Sequence, residues 1–163
     1  MMKLRLVLLW GVAVVSLLFV NYAIYGKEQL IRNGQPILLE LAPVDPRSLI
    51  QGDYMDLRYK IAADLETADL PPRGKLVISV ADNGVASFVR VDDGTPLALN
   101  ERLLNYYKHD WNIDLGAGSF FFQEGTAEAY ADAEYGELRV DGNGTSILIG
   151  LRDENLEPLG PAQ

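Results

Sequence analysis

The sequence predicts an α+β chain, mainly antiparallel β: one N-terminal transmembrane helix, then a compact β-rich soluble domain with one short helix near its C-terminal end. Three observations carry that expectation. Residues Leu6 to Tyr25 contain no charged side chain. Beyond them, short alternating or apolar runs recur between clusters of Gly, Pro, Asn and Asp, the pattern of an antiparallel domain. Two Asn-Gly pairs, Asn83-Gly84 and Asn143-Gly144, stand between such runs and mark hairpin turns. The boundaries follow as 1–34 for the cytoplasmic start and anchor helix, 35–155 for the β-rich domain, and 156–163 for a flexible tail rich in proline.

The anchor is justified by length. Twenty residues at about 1.5 Å each span roughly 30 Å, the thickness of the hydrocarbon core. Lys3 and Arg5 precede the run without an acid beside them, so the N-terminus is expected in the cytoplasm and the rest outside. A cleaved signal peptide has the same charged start and apolar middle. Val20 to Gly26 offers no pair of small residues spaced for cleavage, which favours an uncleaved signal-anchor contacting the lipid bilayer through residues 6–25. Tyr22 and Tyr25 suit the interfacial aromatic belt. The helix is expected to run on to Asn33, with Gly34 as a left-handed cap.

Charge and composition exclude several classes of function. Of the 14 basic residues two precede the anchor, so against 23 acidic residues the exported part carries a net −11, whereas the whole chain carries −9. Such a surface does not neutralise phosphates, and no nucleic-acid partner is expected. With no cysteine, disulfides, thiolate metal sites and a cysteine nucleophile are ruled out.

Along the exported part, Ile37 to Leu41 reads as a strand and Pro43-Val44-Asp45-Pro46 as a turn, because each proline fixes its own φ and drives the residue before it out of helix. Asp53 to Ile61 alternates, with Met55, Leu57, Tyr59 and Ile61 on the core face. Lys75 to Ala81 and Val85 to Val91 flank Asn83-Gly84 as a hairpin expected to use a type I′ turn. Leu103 to Lys108 and Trp111 to Leu115 form a second hairpin about His109-Asp110, and Phe120 to Gln123 a short aromatic strand. Thr126 to Tyr135 is the soluble helix, with Thr126 as cap and four alanines favouring it. Glu137 to Val140 and Ser146 to Leu151 close the domain around Asp141 to Gly144.

Residues Gly52-Asp53-Tyr54-Met55-Asp56-Leu57-Arg58-Tyr59 spell G-D-Y-x-x-L-x-Y without a mismatch. On this octet the chain resembles the GDYXXLXY family of bacterial membrane-anchored proteins. The resemblance extends to Pro43 to Ser48, to Phe122-Gln123-Glu124-Gly125 and to the final strand pair. It implies a single-pass protein of the inner membrane with a periplasmic domain, accompanying a multi-pass membrane protein partner, and it implies no activity. Two readings of the octet stand. In the structural one, Gly-Asp makes the entry to a strand whose Leu57 and Tyr59 pack inward. In the functional one, Asp53, Tyr54 and Arg58 form a binding surface with Asp45 and Arg47 across the turn.

Catalytic and metal chemistry finds little support. Asp45 to Asp53 resembles a fragment of the signal peptidase and LexA-like serine peptidases, but Val44 stands where the nucleophile belongs and no lysine base accompanies Ser48. His109, the one imidazole, falls short of a zinc ligand set. Asp141, Asn143 and Thr145 have calcium-loop spacing but end on Arg152 in place of an acid. Carboxylate pairs such as Asp53 with Asp56, Glu124 with Glu128 and Asp92 with Asp93 are available for acid-base work, with nothing in their spacing to single one out. Leu115 to Ser119 lacks the lysine of a phosphate loop. The expectation is therefore a non-enzymatic accessory or interaction subunit without cofactor or metal. The alternatives are a carboxylate-using envelope enzyme, or a small-ligand or glycan binder stacking on Tyr54, Tyr106, Tyr107 and Trp111.

Overall fold

The structure, a computed structural model, describes residues 2–42, 50–51, 54–109 and 112–160. The turn expected at Pro43 to Pro46, together with Asp45, Arg47, Asp53 and Trp111, lies outside the described residues. Helix α1 runs from Met2–Asn33. Its portion Leu8–Asn33 is long and apolar enough to cross a membrane, and none of its apolar window is buried in the domain. The end of the helix differs from expectation. Gly34 is not left-handed; its amide donates to the Leu30 carbonyl at 2.8 Å. Glycine is needed there for space, because a Cβ would strike that same carbonyl and lie 3.0 Å from the Cβ of Arg139.

Among the described residues the domain has ten strands in three sheets. β1 (Gln35–Glu40), β9 (Tyr135–Val140) and β10 (Ser146–Arg152) form one antiparallel sheet in the order β1-β9-β10. A second, in the order β5-β4-β6-β7, contains β4 (Arg73–Val80), β5 (Ala86–Val91), β6 (Glu101–His109) and β7 (Asn112–Asp114). The smallest joins β2 (Ile50–Gln51), β3 (Tyr54–Asp56) and β8 (Ser119–Phe121). A bridge between Leu38 and Val85 links the two larger sheets, and the Asn105 amide reaches the Gly144 carbonyl at 2.8 Å. Ile37, Leu39, Leu76, Ile78, Leu104 and Leu138 fill the shared core, each at most 1% exposed. Leu38 and Val77, which point to the other face of β1 and β4, are buried as well, so the middles of these two strands are covered on both faces.

Both Asn-Gly hairpins exist, with a turn other than type I′. Only the glycine has positive φ, +86° at Gly84 and +88° at Gly144. The Gly84 amide returns to the Ala81 carbonyl at 2.8 Å, and Gly144 to Asp141 at 3.1 Å. These are three-residue loops in which a turn is followed by one left-handed glycine. The Asp141 carboxylate, accepting from Asn143 and Thr145 amides at 2.8 and 2.9 Å, supports the second and explains its calcium-like spacing.

Two helices depart in extent from the reading of the sequence. The strand expected over Asp53 to Ile61 ends at Asp56, and α2 (Lys60–Leu65) follows. Alternation holds through Tyr59, since Met55, Leu57 and Tyr59 are buried with Asp56 and Arg58 outside. From there Ile61, Ala62 and Leu65 are the buried set, a spacing that suits one helical face. The helix of Thr126 to Tyr135 shrinks to a 310 turn, Ala127–Tyr130. Alanine favours a helix locally, but short helices need an apolar face to pack, and Tyr130 alone supplies one. Thr126 does not cap the turn; its hydroxyl donates to the Gln123 carbonyl at 2.6 Å. The tail also departs from expectation. Leu156 to Gly160 fold back, with the Leu159 amide on the Leu151 carbonyl at 2.9 Å, because Leu159 finds a place against the core.

Tyr106 is 1% exposed, so it cannot stack on a ligand. Its hydroxyl has no hydrogen-bond partner among the described residues. A buried hydroxyl left unpaired loses its hydration without return. Tyr106→Phe is accordingly expected to leave stability within about 1 kcal/mol of wild type, on the stabilising side, as read by urea unfolding.

Candidate functional site

The outward residues of the signature strand border a groove of about 1030 Å3. Asp56, Leu57, Arg58 and Tyr59 form one wall, Ala62 of α2 and Glu66 just beyond that helix an end, and residues 112–119 the second wall. That second wall is built rigidly. The Tyr59 hydroxyl donates to the Ala117 carbonyl at 2.8 Å, and the Ser146 hydroxyl to that of Leu115 at 2.7 Å. The Leu57 amide takes the Gly118 carbonyl at 2.8 Å. At the corner, Gly116 has φ +77°, and its amide donates to the Asp114 carboxylate at 2.7 Å.

The groove is acidic, with Asp56, Glu66 and Asp114 against Arg58. Arg58 Nη2 lies 2.6 Å from Glu66 Oε1, and the Ser119 hydroxyl donates to Asp56 at 3.3 Å. Burial, reinforced by the negative charge of Asp114, raises the Tyr59 hydroxyl well above the usual tyrosine range, so it stays a neutral donor. His109 lies at the rim. Among the described residues, the Ser119 hydroxyl is the one seen to donate to a carboxylate in this lining, at the long distance of 3.3 Å, and no group of three or more His, Asp or Glu is placed to hold a metal. The arrangement offers polar and apolar contacts on a fixed frame, which suits binding.

Of the residues singled out in the sequence, Arg58 enters the groove. Tyr54 belongs to an adjoining surface, where its ring lies 5.8 Å from that of Phe121, itself 74% exposed. Tyr107 is 49% exposed on β6. The pair Asp92 and Asp93 serves the loop after β5, accepting from the Gly94 amide at 3.1 Å and from Thr95. Sequence reading missed Glu66 and Asp114 as groove residues. Glu66 follows α2, whose first two residues continue the alternation of the octet and so read as strand. Asp114 stands two residues before Gly116, a spacing that does signal a carboxylate-supported turn.

The comparisons point one way. No curated protein and no solved structure matches the chain. One family model, described as GDYXXLXY protein, matches residues 16–151. That span takes in half of the apolar helix, the signature octet and both walls of the groove, and the chain belongs to the GDYXXLXY family.

Proposed function

We propose that this chain is a single-pass protein of the bacterial inner membrane, with its N-terminus cytoplasmic, whose periplasmic domain serves as a non-enzymatic accessory subunit of a multi-pass membrane protein. The orientation rests on Lys3 and Arg5 before an uncharged run. The observation that carries the role is the division of labour within the signature. Met55, Leu57 and Tyr59 are buried, the last two beneath the groove, while Asp56 and Arg58 are exposed along it, near the part-buried Tyr54 and its exposed neighbour Phe121. An aromatic cluster with one ring exposed, near an exposed arginine, has the residue types that anchor interfaces.

A photocrosslinker placed at Phe121 or Arg58 of the full chain in native membranes should label one membrane protein reproducibly. Labelling of no protein, or of a different set in each preparation, would refute the reading. The Arg58 and Glu66 side chains are 49% and 25% exposed, and ion pairs so placed contribute at most about 1 kcal/mol. Arg58→Ala should therefore abolish crosslinking from Phe121 while shifting the unfolding midpoint little.

A further inference from the structure

The loop between β5 and β6 carries leucines that the domain does not cover. Leu99 is 98% exposed, more than any other large apolar side chain described, and Leu97 is 40% exposed. The loop is nonetheless tied down. The Ala98 amide donates to the Glu101 carboxylate at 3.0 Å, the Glu101 amide returns to the Ala98 carbonyl at 3.1 Å, and Asn100 donates to the Ser79 hydroxyl at 2.8 Å. A fixed tip that presents an uncovered leucine lacks the usual means of hiding it, which is to fold it under.

Its position relates it to the anchor. Arg102 donates to the Leu99 carbonyl at 2.9 Å and also to the side chain of Gln35, the second residue after α1. The tip is thus held one arginine away from where the helix enters the domain. Beyond the uncharged run, residues 26–33 rise roughly 12 Å as helix, and part of the domain lies beside them. A cleft of about 380 Å3 is lined on one side by Gly26, Gln29 and Leu30 and on the other by Arg102 and Asp141. Leu30 is buried against the domain, so the stalk is fixed to it. Glu101, two residues from Leu99, pairs with Arg90 at 3.5 Å, as does Asp93 at 3.2 Å.

We infer that the Leu97 to Leu99 loop is a second membrane contact, inserting its leucines into the interfacial layer of the leaflet from which α1 emerges, with Arg102 at the level of the lipid phosphates. The inference rests on the anchor reading of α1. Burial of apolar side chains in the interface, joined to a cation at the headgroups, is how non-spanning segments hold to membranes. The occupant is the bilayer because α1 sets the height of this loop whatever else binds the domain.

The chain has no cysteine, so single thiols can be placed without background. The full chain carrying Leu99→Cys, Thr67→Cys or Val15→Cys would be labelled with an environment-sensitive dye and reconstituted in vesicles of phosphatidylethanolamine and phosphatidylglycerol. Nitroxide-bearing phospholipid should quench the dye at Leu99 by about two-fold or more, as expected of a group within the headgroup layer, and leave that at Thr67 unchanged. Quenching at Leu99 no greater than at Thr67, with Val15 quenched, overturns the loop contact and spares the anchor. Loss of quenching at Val15 as well overturns both. Shielding of Leu99 in native membranes but not in these vesicles overturns the proposal in favour of a protein cover.

Discussion

Replacing Tyr59 by alanine is expected to cost about 3–5 kcal/mol, the range for emptying the site of a buried aromatic ring. Tyr59 is 3% exposed. Its ring lies so close over Gly136 that a Cβ there would sit 2.9 Å from the ring edge, and its hydroxyl holds the Ala117 carbonyl. Alanine would leave a void between β3, β9 and the groove wall together with an unpaired carbonyl. Domains of this kind are stable by about 5–15 kcal/mol, so the variant should unfold at much lower urea, followed by far-ultraviolet circular dichroism on the full chain in detergent. Tyr59→Phe keeps the ring and isolates the hydrogen bond, for a smaller loss of about 1–2 kcal/mol.

The same residue sets an alkaline limit. Burial and Asp114 raise the folded Tyr59 above its unfolded value near 10, so folding favours the protonated form. Its contribution is complete below about pH 10 and is lost as pH rises from there toward the folded value. Wild type should therefore lose stability above about pH 10, and Tyr59→Phe should lose less over the same interval. Burial raises Tyr106 as well, so Tyr59→Phe with Tyr106→Phe should flatten the curve further. An equally steep loss in the double variant would show that neither hydroxyl governs it.

The second large effect is expected at the junction of helix and domain. Gly34→Val forces a branched side chain against the Leu30 carbonyl and the Cβ of Arg139, neither of which can move without shifting α1 or β9. Overpacking of this kind costs about 1–3 kcal/mol. The loss should be local: hydrogen exchange should accelerate at Gln35 to Leu38 while the amides of β4 and β6 keep their protection. Uniform acceleration across the domain would instead mean that the junction supports the whole fold.

How much of this was legible in the sequence depends on the kind of signal. Hairpins announced by Asn83-Gly84 and Asn143-Gly144 appear in place, because a left-handed glycine has few competitors. The turn type was not legible, since the Asn83 side chain in one loop and the Asp141 carboxylate in the other accept amides that support the longer loop equally well. The strand through the signature was overextended because Ile61 is in phase both with the alternation of Met55, Leu57 and Tyr59 and with the helical face it shares with Leu65. Alanines around Tyr130 suggested a longer helix than one tyrosine can hold. For the groove, Arg58 could be named from the octet, but Glu66 and Asp114 reach it only through tertiary folding. Leu99 gave no signal at all, since an isolated leucine in a loop is ordinary until the helix exit is known to lie beside it.

On the proposed reading of α1 as a membrane anchor, a helix unbroken from Met2 to Asn33 that joins the domain through Gly34 without a flexible linker acts as an axle. Each residue turns the helix by about 100°, so adding or removing one between Gly26 and Asn33 would swing the groove to a different compass bearing in the plane of the membrane. The phase of the helix therefore decides which lateral neighbour the Arg58 groove can face.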